Sequence, residues 1–113
     1  MTDMKERLDE ATETSAILGK EYPRLMGPFG VLKRHTVEDD GALPSKTKRL
    51  IALALAVANG CEWCIALHVK GSMDAGASKD EIIEACFVSI LMAGGPAVFH
   101  IGLVMDALER YSE

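Results

Sequence analysis

At 113 residues, 49% of them apolar and with a mean hydropathy of +0.13, the chain reads as one domain (1–113) at the apolar end for its size, which points to a rich core or to apolar surface buried between subunits. Seventeen acidic against 12 basic side chains give a net charge of −5 with no basic run, which excludes nucleic acid as an expected partner. The opening residues, Met1-Thr2-Asp3-Met4-Lys5-Glu6, hold no apolar signal segment, so the expected location is cytoplasmic.

In chain order, Met4, Leu8, Ala11, Ser15 and Leu18 recur at three- and four-residue steps and predict an amphipathic surface helix over 3–20 with no functional role of its own. Over 22–37, Leu25, Phe29 and Leu32 keep helical spacing, but Gly27, Pro28 and Gly30 predict a kink or an interruption. His35 falls in the last turn, where it suits the helix dipole, and is not assigned to a site. After the polar break Glu38-Asp39-Asp40-Gly41, Ser45 is the expected N-cap of a new helix. Leu50 to Ala58 is apolar without interruption. Its four alanines and basic lead-in favour a central helix over a strand, and Asn59-Gly60 ends it.

The next helix is expected from about Cys61 to Ala75, with Ile65, Val69 and Met73 facing the core and Gly76 ending it. Ser78-Lys79-Asp80-Glu81 is a capping box that opens a helix through Ile82, Ile83, Cys86, Ile90 and Ala93. Pro96 suits the first turn of a last helix carrying Val98, Ile101, Met105 and Leu108 and ending near Tyr111. Phe87 to Met105 carries no charge, but Gly94-Gly95-Pro96 divides it, leaving halves far short of the roughly 20 residues of a spanning helix. No membrane association is expected, and the two halves read as buried helices joined by a tight turn. No strand pattern occurs, so the expected fold class is all-α with about six helices.

The chemistry concentrates in Cys61-Glu62-Trp63-Cys64-Ile65-Ala66-Leu67-His68. On a helix, positions 61, 64 and 68 share a face, which makes a dithiol with an imidazole one turn below it. A thiol reacts as its thiolate. A helix start favours that negative charge, and His68 is placed to take the proton from Cys64. Cys61 is close enough in sequence to form a disulfide with Cys64. This is the layout of thiol–disulfide exchange or thiol peroxidation. A buried cysteine pair is the plainer alternative. A zinc site would draw on Cys61, Cys64 and His68 but needs a fourth ligand, and neither Cys86 nor His100 has motif spacing, so no metal is expected. A c-type haem is excluded because Ile65, not histidine, follows Cys64, and the helical flanks disfavour a thioredoxin fold. Cys86 and His100 read as core residues. Trp63 falls on another face, where it shields the site or packs against a neighbour.

This stretch, preceded by Lys46-Thr47-Lys48-Arg49-Leu50-Ile51-Ala52-Leu53-Ala54 and followed by Gly76-Ala77-Ser78-Lys79-Asp80-Glu81-Ile82, resembles the AhpD-like (alkylhydroperoxidase D) branch of the carboxymuconolactone decarboxylase family. Gly94-Gly95-Pro96-Ala97 resembles the family's turn before its last helix, and the likeness runs over about 41–108. The resemblance implies an all-helical enzyme that assembles as homo-oligomers, often trimers or hexamers. It implies hydroperoxide reduction with no tightly bound cofactor, the electrons coming from a lipoyl-type dithiol or another thiol protein. By position, Cys64 would attack the peroxide, His68 would bond to it, and Cys61 would resolve the intermediate and meet the reductant. The family's peroxidases carry a relay glutamate twelve residues before the first cysteine, where this chain has Arg49. Arginine does not exchange protons at physiological pH, so Arg49 is expected to modulate the site only through its charge, with Glu62, Glu81 and Glu84 as the candidates to replace the relay. A lactone decarboxylase that does not use the pair, and a non-catalytic oligomeric redox sensor, are the alternatives.

Overall fold

The computed structural model describes residues 2–113. Six α-helices follow one another: α1 (Met4–Glu21), α2 (Pro23–Lys33), α3 (Ser45–Asn59), α4 (Glu62–Asp74), α5 (Lys79–Ala93) and α6 (Gly95–Tyr111). A π-helical turn, Arg34–Glu38, continues α2. No strand occurs among the described residues, in line with the all-α expectation.

The core forms where α3 packs on α4 and α5, and where α6 closes over both α4 and α5. Leu53 and Val57 of α3, Ile65 and Val69 of α4, Ile82 of α5 and Val104 of α6 are all buried there. Each such side chain contributes about 1.5–3 kcal/mol through the water it sheds. The expected stripe of α4 therefore holds at Ile65 and Val69, while Met73 is half-buried. Leu8 packs half-buried against the same core, and Met4 is the one fully buried residue of α1. Its backbone N–H donates to Asp106 Oδ2 at 3.0 Å, and its carbonyl accepts from the Tyr111 hydroxyl at 2.9 Å, so the start of α1 is tied to the end of α6.

Local chemistry explains the helix ends. Asp3 caps α1 by accepting from the N–H groups of Lys5 at 2.9 Å and Glu6 at 3.3 Å. The capping box at α5 forms as expected, with Ser78 and Glu81 exchanging bonds of 2.9 and 3.1 Å. The turns into α4 and α6 are only one or two residues long. They require backbone at φ +69° and φ +82°, which Gly60 and Gly94 supply.

Four expectations are corrected. Of the kink or interruption expected at Gly27, Pro28 and Gly30, the interruption does not occur, and Pro28 lies inside a continuous α2. That helix has no buried residue, so the carbonyl left free by proline faces the surface, and the irregularity moves to the π turn. Ser45 is not the cap of α3: Pro44 is, and the Ser45 hydroxyl donates to the Val37 carbonyl at 2.7 Å. The apolar run of α3 is buried on one side only, through Leu53, Ala56 and Val57, while Ile51 and Leu55 are exposed. In α6, Ile101 and Leu108 are buried, but Val98 and Met105 are exposed. Alanines 97 and 107 take the inner positions instead, because small side chains let the helices approach closely. No helix among the described residues is long and apolar enough to cross a membrane.

Candidate functional site

The α3–α4 connection positions the two cysteines. α3 ends at Asn59 and Gly60 turns the chain, which leaves Cys61 as the N-cap of α4 rather than a residue within it. Its sulfur accepts the backbone N–H of Cys64 at 3.2 Å, the bond that a serine hydroxyl makes at an ordinary N-cap. Cys61 and Cys64 are joined as a disulfide, with their Cα atoms 5.2 Å apart. Both sulfurs thus sit where the unpaired N–H groups of α4 favour negative charge once the bond is reduced.

His68 lies one turn beyond Cys64. Both line a cavity of about 400 Å³ whose opposite wall comes from α2 and the π turn, including Met26, Phe29, Leu32, Lys33 and Val37. His68 Nδ1 is buried without a hydrogen-bond partner, and so is the Ser72 hydroxyl one turn further along. Burial foremost, then the charges of Arg49 and Lys33, push the imidazole down to about 4. At pH 7 the ring is therefore neutral and able to accept a proton.

Arg49 does not line this cavity. Its half-buried side chain lies against α4, and a methyl group built on Gly71 would stand 2.8 Å from the guanidinium. It opens onto a polar groove shared with Glu38, whose carboxylate stands 4.0 Å away. Arg49 thus acts on His68 through its field. Of the glutamates weighed as stand-ins for a relay, Glu81 is taken up by its capping bond and by Lys46, which donates to it at 2.9 Å. Those hydrogen bonds, the Lys46 one first, hold its carboxyl below the ordinary range. Glu84 is exposed on α5.

Glu62 is engaged by α1, the helix expected to have no part in the site. Arg7 Nε donates to Glu62 Oε1 at 3.0 Å, and the same guanidinium lies 5.6 Å from the centre of the Trp63 ring. One arginine therefore grips both residues that separate the cysteines. Amphipathic spacing carried no signal for this contact, nor for the placement of Lys33, Glu38 and Gly71.

His100 is not a core residue. It is half-exposed, its Nδ1 lies 2.9 Å from the Pro96 carbonyl, and its ring covers Gly60, the residue before Cys61. His35 is exposed and pairs with Asp39 at 3.0 Å. Cys86 is fully buried, as expected, and burial pushes its thiol up to about 11. Among the described residues, no three His, Cys, Asp or Glu side chains converge as a metal site needs.

Residues 23–107 match the carboxymuconolactone decarboxylase family. The chain is 38% identical over 100 residues to an uncharacterized protein of Cupriavidus necator, covering 88% of this chain and 87% of that one. It is 43% identical over 71 residues to uncharacterized protein 4 in the cox locus of Paracoccus denitrificans, covering 63% of this chain and 64% of that one. The apo crystal structure of a carboxymuconolactone decarboxylase family protein from Legionella pneumophila superposes with a TM-score of 0.91 at 34% identity, covering 97% of each chain. A candidate carboxymuconolactone decarboxylase from Burkholderia xenovorans superposes at 0.75 with 27% identity, covering 88% of this chain and 79% of that one. The chain belongs to the carboxymuconolactone decarboxylase family.

Proposed function

We propose that the protein is a thiol peroxidase of the AhpD type. It reduces an organic hydroperoxide and draws electrons from a lipoyl-type dithiol or another thiol protein, with no tightly bound cofactor. The observation that carries this reading is a disulfide-forming pair at a helix N-terminus, one of whose cysteines, Cys64, shares an apolar cavity with a neutral histidine. In the reduced protein His68 takes the Cys64 proton, and the thiolate attacks the outer peroxide oxygen. The O–O bond breaks, the proton returns to the departing alkoxide, and the products are an alcohol and a Cys64 sulfenic acid. The Cys61 thiol then attacks that sulfur, its proton leaving with the displaced hydroxide as water, and the resulting disulfide is reduced by the external dithiol in two exchange steps.

Arg49 stands where the related peroxidases hold a relay glutamate, and its field adds to burial, the larger cause, in keeping His68 neutral. A redox-sensing role is the second reading, because a site without that relay can form its disulfide and turn over slowly. The protein works as a homo-oligomer, a trimer or hexamer by family resemblance, in a reducing compartment such as the cytoplasm. Leu91, Met92 and Phe99, each more than 80% exposed beside the α5–α6 turn, belong to the apolar face that a second copy would cover.

The test is turnover of cumene hydroperoxide by the reduced protein with dihydrolipoamide, alongside Cys61→Ser and Cys64→Ser. Loss of sustained turnover in both variants is the expected result. A Cys64→Ser protein as active as the parent would overturn the assignment.

A further inference from the structure

The cavity beside Cys64 has one feature that reduction of a plain alkyl hydroperoxide does not use. Its wall is apolar through Met26, Phe29, Leu32, Val37 and Leu67, but Lys33 also lines it. No Asp or Glu is among the lining residues. Lys33 is half-buried, and among the described residues no carboxylate lies within 4.0 Å of its ammonium. It stands in the last turn of α2, but it is Lys48 that reaches the His35 carbonyl of the following π turn, at 3.5 Å. The hydroxyl of neighbouring Thr36 is spent on the Leu32 and Lys33 carbonyls, at 2.7 and 3.3 Å. The wall therefore presents an apolar surface with one unpaired cation, and His68, which lines the same cavity, is neutral. A lysine whose half-buried stem lines an apolar cavity can hold its ammonium at the opening, where the anionic head of an apolar ligand would meet it.

We propose that this cavity selects hydroperoxides with an apolar body and a carboxylate head, of the fatty-acid type, and that Lys33 binds the head. The inference rests on the peroxidase reading for its chemistry: the hydroperoxide becomes the hydroxy acid and water leaves, while two protein thiols become the disulfide that the external dithiol reduces. Lys33 is a specificity residue. The carboxylate pairs with its ammonium, the chain lies along Phe29, Leu32 and Leu67, and the peroxide is left for Cys64. A charge-assisted bond in a partly desolvated pocket favours the acid over its neutral ester by about tenfold. A volume of about 400 Å³ lies in the range of pockets that hold such ligands.

The experiment compares a fatty-acid hydroperoxide with its methyl ester, both below their micellar concentrations, using dihydrolipoamide as donor. The parent is expected to prefer the acid by about tenfold in kcat/KM, mostly through KM. Lys33→Met should erase the preference for the acid, and Lys33→Arg should keep it. Equal use of acid and ester by the parent, or a preference that survives Lys33→Met, would overturn the proposal. Calorimetric binding of the corresponding hydroxy acid and its methyl ester separates this inference from the peroxidase reading, since it needs no turnover. Acid-selective binding that depends on Lys33 would uphold the pocket even for a protein that reduced no peroxide. Equal binding, or none, would reject it.

Discussion

Two places in the molecule hold cysteine, and they give it opposite chemistry. Cys86 lies on the inner face of α5, fully buried, and its thiol is pushed up to about 11 by burial alone. Cys61 and Cys64 lie at the N-terminus of α4, half-buried and paired with each other, and Cys64 lines a cavity beside a neutral imidazole. The difference comes from where the backbone places the sulfur. In the middle of a helix every N–H is already bonded, so a thiolate there meets only apolar side chains. At a helix start the N–H groups are free to meet it.

The largest test of the comparison is substitution of each cysteine in turn. Cys64→Ser should lower kcat/KM for an organic hydroperoxide by about 10³-fold or more, because a hydroxyl does not replace the thiolate. Cys86→Ala should leave that value within about twofold while lowering unfolding free energy by about 1–2 kcal/mol in urea titration, through the small cavity it creates. His68→Gln should cost about 10²-fold in the rate of disulfide formation, the usual scale for a lost general base.

The pH dependence of stability follows from the same histidine. Its folded value, about 4, lies below the ordinary 6.5, so the unfolded chain binds this proton more readily between those values. Stability carried by His68 is therefore complete above about pH 6.5 and falls as pH drops toward 4, by no more than about 3 kcal/mol. Urea titrations at stepped pH should show this loss in the parent and not in His68→Gln. A smaller effect is expected from Gly71→Ala, which displaces the guanidinium of Arg49 rather than the backbone. The His68 titration followed by NMR should rise, by about one unit at most. Smallest is Arg7→Ala, which frees Trp63 and should shift its fluorescence to the red with little loss of activity.

The helices could be read from the sequence because their signals are local. Ser78 and Glu81 form their cap from residues three apart, and Gly60 and Gly94 mark turns that only glycine makes cheaply. The spacing of Cys61, Cys64 and His68 was equally legible, since one helix carries all three or caps itself with the first. What stayed hidden depends on contacts across the fold. Arg7 meets Glu62 from 55 residues away, and Lys33 shares a cavity with Cys64 only because α2 and the π turn supply part of its wall. The apolar stripe of α6 was misread because selecting by side-chain size passes over Ala97 and Ala107, the residues that pack closest.

The most direct measurement is mass spectrometry of sulfenic acid trapped with dimedone in the reduced Cys61→Ser protein after one equivalent of organic hydroperoxide. Without its resolving partner, Cys64 should carry the adduct, and Cys86 should carry none. An adduct on Cys86, or an unmodified Cys64 after the peroxide has been consumed, would contradict the account.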